Sequence, residues 1–218
     1  MHLLLTPDSP AEIELHGSSN LHRWTCTGSE VKGLVTANIP PAELSRILQV
    51  WMHGDSETLE VGRHEPDVNV HIWLEVYPRD LDCPSRRMRL DLLRAIQVDQ
   101  YPSITYWFSE LIEPPTVVDL DTERTFELKV AGYLSLAGER RRNEHTAKVR
   151  QLDSSTLELS GKLYLNMKDF GIDPPTALMG LLRAHEEFDV AYRFTVPLEG
   201  TSLPDALMGN TDPPQALR

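Results

Sequence analysis

The stretch Phe126-Glu127-Leu128-Lys129-Val130-Ala131-Gly132-Tyr133-Leu134-Ser135-Leu136 decides the fold, because bulky apolar side chains occupy almost every second position along it. A period of two is typical of a β-strand with one buried face and one face in water. The same pattern returns at residues 157–167 and 188–196. Five earlier or intervening runs bring the predicted set to about eight strands: 12–16, 25–39, 68–76, 104–112 and 146–152. The sequence therefore predicts an all-β protein.

The polar faces of these strands indicate which way the sheet curls. They carry charged side chains, among them Lys129, Glu158 and Arg193. Burying unpaired charges in a narrow lumen is costly, whereas charges on the outside stay hydrated. We therefore expect an antiparallel, eight-stranded barrel with an apolar interior. We expect residues 1–200 to form this single domain and residues 201–218 to form a loose tail. Short helices are predicted at about 41–51, 85–98 and 176–183.

Composition restricts the partners and the location of the protein. The chain has 21 basic and 33 acidic residues, which gives a net charge of −12. Such a surface disfavours nucleic acid and anionic membrane surfaces, and no run approaches the ~18 apolar residues of a transmembrane helix. We expect a monomer or homodimer without stable membrane insertion. It is cytoplasmic, or periplasmic or secreted if a signal peptide has been removed.

The two cysteines, Cys26 and Cys83, allow two interpretations. They are either buried free thiols or a disulfide, and export of the protein would favour the disulfide. A bridge that closes so long a loop would stabilise the fold by roughly 4 kcal/mol in the chain-entropy model. Their wide separation, without a neighbouring ligand, does not indicate a metal site.

Four runs of the sequence, taken in order, resemble the YceI-like family of lipid-binding proteins. They are GSSNLHRW at 17–24, the segment from Met88 to QYPSITY at 100–106, GYLSLAG at 132–138 and DFGIDPP at 169–175. Together they extend over roughly residues 12–197, although the chain departs from the family pattern at Arg23 and at 139–142. The resemblance implies an extended lipocalin-like barrel that holds a long-chain isoprenoid or fatty-acid-like ligand.

The inward-facing side chains are the predicted contacts of that ligand. Alternation along the strands selects Phe108, Phe126, Leu128, Val130, Leu134, Leu163, Leu165, Phe188, Tyr192 and Phe194, with Phe170 and Met179 at one end. A hydrocarbon tail that leaves water for such a lining gains about 0.8 kcal/mol per methylene. The predicted function is the non-catalytic binding, storage or transport of a long-chain amphiphilic lipid. A polyisoprenoid, an isoprenoid quinone or a fatty-acid-like molecule is the expected ligand, and no other cofactor is expected.

His145 is the histidine that alternation with Ala147 and Val149 places on the inward face. A lone inward histidine is more often a core residue than a catalyst, although it could hydrogen-bond a quinone carbonyl, an amide or a carboxylate. The pattern supplies no obvious second polar group beside it. The sequence also lacks a nucleophile elbow, a P-loop and a dinucleotide-binding motif. We therefore predict no enzymatic activity.

The main alternative is a barrel filled by its own side chains, which would act as a structural or protein-interaction module. The inward aromatic residues favour this filled barrel. Gly132 and Gly161, also on inward faces, favour empty space and tip the prediction toward a cavity. The arginines at 140–142 allow either a pyrophosphate clamp at the barrel mouth or a solvated hairpin tip.

Overall fold

The computed structural model describes residues 2–5, 10–37, 70–113, 115–120, 123–153, 156–177 and 181–197. The predicted helix at 41–51 and the predicted tail at 201–218 lie outside these ranges. The strands are β1 His2–Leu5, β2 Ala11–Ser18, β3 Arg23–Gly28, β4 Val31–Ala37, β5 Val70–Val76, β6 Ile104–Leu111, β7 Thr116–Leu120, β8 Glu123–Leu136, β9 Glu139–Asp153, β10 Thr156–Asn166, β11 Thr176–Ala177, β12 Leu182–Arg183 and β13 Glu187–Pro197. Helix α1 spans Arg86–Ala95, and short 3-10 helices span Pro78–Asp80 and Met167–Phe170. The predicted all-β class is confirmed.

One antiparallel sheet of eleven strands forms the barrel wall, in the order β1-β4-β5-β6-β8-β9-β10-β13-β2-β3, with β7 beside β8. Only Ser29 and Glu30 separate β3, at one end of this path, from β4, the second strand from the other end. The chain therefore brings the two ends of the sheet near each other, and the sheet curls. β4 pairs with β5 from Val31 opposite Val76 to Ala37 opposite Val70.

All eight predicted runs are strands of this sheet, but the predicted count of eight is too low. The run at 25–39 is divided by the break at 29–30 into β3 and β4. β1 and β7 are additional strands, paired with β4 and β8. They were not predicted because both are short, and short runs give weak alternation.

Helix α1 covers one end of the barrel and confirms the helix predicted at 85–98. The Ser85 side chain caps it by accepting a hydrogen bond from the Met88 backbone N–H at 3.2 Å, as serine commonly does at this position. Its apolar face buries Leu92 and Leu93, which pack in one cluster with barrel residues such as Leu134. A second buried cluster, formed by Ile13, Val31, Phe194 and Val196, completes the core.

A disulfide between Cys26 and Cys83 joins β3 to the segment that leads into α1. Cys26 is fully buried. Next to the bridge, the backbones of Thr27 and Asp82 exchange two hydrogen bonds, of 2.8 and 2.7 Å. The start of the helix is thus held to the barrel wall by a covalent bond and by backbone pairing.

The helix predicted at 176–183 is wrong, because β11 and β12 pair there as short antiparallel strands. Asn20, far away in the sequence, supplies the competing interactions. Its side-chain amide donates to the Leu181 carbonyl at 2.8 Å, and its side-chain oxygen accepts from the Arg183 N–H at 3.0 Å. These bonds hold the backbone in an extended path, so its polar groups are satisfied without helical hydrogen bonds.

Candidate functional site

The barrel encloses a cavity of about 680 Å³, a volume typical of small-molecule binding sites. Side chains from the sheet and from α1 line it, and most of them are aliphatic or aromatic. One end lies at Leu92 of α1 and at Ile96, the residue that follows the helix, and the other end lies at Leu111 and Pro115. An apolar space of this kind is suited to a hydrocarbon chain.

Most of the predicted contact residues line this cavity: Phe108, Leu128, Val130, Leu134, His145, Leu163, Leu165, Phe188, Tyr192 and Phe194. Phe126 and Phe170 are buried in the core, at 2% and 3% exposure, and are not among the lining residues. Met179 lies outside the described residues. Contact between these residues and a ligand remains a prediction.

Other lining residues were not among the predicted contacts. Tyr106 alternates with Ile104 and Phe108 on the inward face of β6, so the strand pattern contains the signal for it. Leu92 and Ile96 line the cavity from the helix end, and their helical spacing contains a comparable signal. The predicted contact residues were selected mainly by alternation along the strands, so residues of the helix were not selected.

Tyr106, His145 and Tyr192 form a group of polar side chains within the largely apolar lining, and Ser109 and Glu110 are further polar lining residues. His145 Nε2 lies 3.0 Å from the Tyr192 hydroxyl oxygen, and His145 Nδ1 lies 3.2 Å from Asn143 Oδ1. A neutral imidazole in this arrangement donates from Nδ1 to the Asn143 oxygen and accepts at Nε2 from Tyr192. The rings of Tyr106 and Tyr192 both meet the His145 ring edge-on, with centroids 5.8 Å away.

The Tyr106 hydroxyl differs from the other two polar groups. It is buried and has no hydrogen-bond partner among the described residues. A buried hydroxyl without a partner has lost its hydration without compensation. This oxygen therefore marks a point at the wall of the cavity where an added polar group would be stabilised.

The described polar side chains in the interior of the cavity, Tyr106, His145 and Tyr192, are uncharged near pH 7. Burial lowers the pKa of His145 to about 4, so its ring is neutral near pH 7. Burial raises the pKa of Tyr106, and burial together with the nearby Tyr106 hydroxyl raises the pKa of Tyr192, so both phenols stay protonated. Glu110 is the one acidic or basic residue in the described lining apart from His145. Glu110 is exposed and forms an ion pair with Arg142 at 3.0 Å.

Comparison with known proteins gives a likeness of fold. No protein-family model and no curated protein matches the sequence. A polyisoprenoid binding domain from Saccharophagus degradans, implicated in plant cell wall breakdown, aligns over 90% of this chain and 97% of its own, with 11% identity and a TM-score of 0.58. Burkholderia cenocepacia BcnA aligns over 85% and 95%, with 10% identity and a TM-score of 0.52. The YceI protein of Campylobacter jejuni aligns over 81% and 85%, with 11% identity and a TM-score of 0.50. The chain has the YceI-like fold.

Two glycines of this YceI-like barrel make room for tyrosine hydroxyls. A Cβ atom on Gly132 would lie 2.3 Å from the Tyr106 hydroxyl oxygen, and one on Gly161 would lie 2.4 Å from that of Tyr192. Neither glycine lines the cavity. The interpretation of these glycines as empty space is wrong. The polar group beside His145 that the alternation did not make obvious is the Tyr192 hydroxyl.

The arginines at 140–142 have partners within the YceI-like barrel itself. The Arg140 guanidinium lies 4.6 Å from the centre of the Tyr133 ring. Arg141 pairs with Glu139 at 2.9 Å, and Arg142 pairs with Glu110. These contacts favour the solvated hairpin tip over the pyrophosphate clamp.

The described ranges contain no cluster of three or more histidine, cysteine or acidic residues that could hold a metal ion. No helix within those ranges has the length and hydropathy needed to cross a bilayer.

Proposed function

We propose that this chain binds a long-chain, largely apolar lipid inside its barrel and does not change it chemically. The observation that carries the proposal is the cavity of about 680 Å³ with an apolar lining along its length. The fold is that of proteins which include a polyisoprenoid binding domain, and this name supports a polyisoprenoid, isoprenoid quinone or fatty-acid-like ligand. A barrel filled by its own side chains would not leave such a space.

The binding energy comes from the hydrocarbon tail. Each methylene that leaves water gains about 0.8 kcal/mol. Eight to ten buried methylenes therefore gain roughly 6–8 kcal/mol in gross terms, and a longer tail gains more. A net affinity at the micromolar level requires about 8 kcal/mol, so the tail must bury more than ten methylenes to offset the lost freedom of the ligand as well.

Binding without catalysis is supported by the chemistry of the polar side chains in the cavity. Both ring nitrogens of His145 already have hydrogen-bond partners, Asn143 and Tyr192. The phenols are protonated because burial raises the pKa of each. Storage or transport of the lipid fits such a site. The Cys26–Cys83 disulfide supports an oxidising compartment such as the periplasm or the cell exterior.

The test uses the purified full chain and a matched pair of variants. Leu163 is buried and lines the cavity, whereas its neighbour Tyr164 is 75% exposed on the outer face of the same strand. Organic extraction and mass spectrometry should find a lipid in the wild type and in Tyr164→Trp, and less of it in Leu163→Trp, because the larger ring occupies the cavity. Thermal unfolding would verify that both variants fold.

A second measurement, the uptake of a fluorescent dye, applies if the purified protein contains no lipid. Such protein should take up the apolar dye N-phenylnaphthylamine, and Leu163→Trp should take up less of it. A wild type that contains no lipid and takes up no dye would refute lipid binding and favour the filled barrel.

A further inference from the structure

We propose that Tyr106, His145 and Tyr192 form a hydrogen-bonding subsite that takes an uncharged acceptor oxygen of the ligand, such as the carbonyl of a ketone, ester or amide. This inference rests on the proposed lipid-binding function and specifies the chemical class of the ligand. The donor to the ligand is the Tyr106 hydroxyl, while His145 and Tyr192 hold each other in place beside it.

The hydrogen bonds within the group identify the donor. The Tyr192 hydroxyl donates to His145 Nε2, and His145 Nδ1 donates to Asn143 Oδ1, so these two donors are already engaged. The Tyr106 side chain lines the same cavity, and its hydroxyl is buried beside Gly132 without a partner among the described residues. A phenol is protonated in this setting and offers one O–H. An acceptor oxygen on the ligand would satisfy it.

The position of the group follows from the strand register. Tyr106 lies opposite Leu134 on β8, and His145 lies opposite Val130 on the same strand. The cavity continues past both positions, toward Ile96 at the helix end and toward Leu111 at the other end. The acceptor oxygen would therefore lie between two apolar sections, with its hydrocarbon chain extending along one section or both.

The absence of cationic side chains selects an uncharged ligand group. No lysine or arginine belongs to the described lining, and its one carboxylate, Glu110, would repel an anion. The His145 ring is neutral, since burial lowers its pKa to about 4. A carboxylate or phosphate placed beside Tyr106 would lose its hydration without gaining a counter-charge. A carbonyl group loses much less hydration free energy on burial, and it gains a hydrogen bond from Tyr106.

The experiment measures displacement of N-phenylnaphthylamine from the delipidated full chain by three ligands of similar length. Methyl undecyl ketone carries one uncharged acceptor, tridecane carries none, and dodecanoate at pH 8 carries a charge. We expect the ketone to bind wild type about tenfold more tightly than tridecane, which is the net effect of one good hydrogen bond. Tyr106→Phe should remove most of this advantage and leave tridecane unchanged. The exposed Tyr164→Phe should change neither affinity.

The possible results separate the two proposals. Equal binding of ketone and tridecane by wild type, or a loss in Tyr106→Phe that affects both alike, overturns the subsite and leaves lipid binding standing. A dodecanoate affinity that falls as far as that of the ketone in Tyr106→Phe overturns the restriction to uncharged groups. Failure of all three ligands to displace the dye overturns lipid binding itself, and the subsite with it.

Discussion

Replacing His145 by glutamine is expected to reduce the loss of unfolding free energy that the protein undergoes when the pH falls from about 7 to about 4. Burial lowers the pKa of His145 from 6.5 to about 4 in the folded chain. Between these two values the unfolded chain binds a proton that the folded chain does not, so the free energy of unfolding falls as the pH falls. A difference of about 2.5 pKa units corresponds to about 3 kcal/mol. Glutamine cannot titrate, so the variant does not lose this stability when the pH falls.

Urea unfolding followed by tryptophan fluorescence, at several values between pH 7 and pH 4, would measure the effect. Over this window, the wild type should lose about 3 kcal/mol more than His145→Gln. The exposed His22 provides the matched control, because its ring is in water in both states, and His22→Gln should follow the wild-type curve. The Lys168 side chain lowers the pKa of Asp173, but this carboxylate is present in all three proteins and cancels.

Two results would refute the reasoning. Parallel curves for wild type and His145→Gln would mean that the ring is not held in a neutral, buried state. A wild type that gains stability relative to His145→Gln on acidification would mean that the folded chain stabilises the charged ring, which reverses the sign of the argument.

Three further substitutions have defined outcomes in urea unfolding. Gly161→Ala places a Cβ 2.4 Å from the Tyr192 hydroxyl oxygen and should lower the free energy of unfolding by about 1–3 kcal/mol. Combining it with Tyr192→Phe should recover part of this stability. An equal loss of stability in the wild-type and Tyr192→Phe backgrounds would contradict the contact. Replacing Cys26 and Cys83 together by serine removes a crosslink across a separation of 57 residues and should cost about 4 kcal/mol; an unchanged midpoint would count against the bridge. Asn20→Ala removes two side chain–backbone hydrogen bonds and should cost about 1–3 kcal/mol, with faster amide exchange in β12 as the local check.

The strands and α1 could be predicted from the sequence because each has one face in water and one in the core. Lys162 and Asp189 on the outside pair at 3.0 Å, while Leu163 and Phe194 on the inside are buried. This contrast produces the alternation that identifies a strand and its inward face. The lining of the cavity follows from the same contrast, which explains why most of the predicted contact residues are found there.

Contacts between strands could not be predicted, because alternation gives the face of a residue but not its partner. Gly161 lies opposite Tyr192 in the β10–β13 register. Gly132 lies two residues from Leu134, which is the partner of Tyr106 in the β6–β8 register. Register is a property of the assembled sheet. The glycines were therefore interpreted as empty space, and the polar group around His145 was missed. The helix prediction for 176–183 was wrong for a related reason, because Asn20 contacts this segment only in the folded chain.

The pairing of Ala37 with Val70 makes this point of the wall a natural insertion site for protein engineering. Strand β4 ends at Ala37, and strand β5 begins at its direct neighbour Val70. A connection of almost any length can therefore span the gap without shifting a strand. Each doubling of its length changes the closure free energy by only about 0.6 kcal/mol. A tight turn, an affinity tag or a folded reporter domain could therefore join Ala37 to Val70 while β4 and β5 keep their pairing.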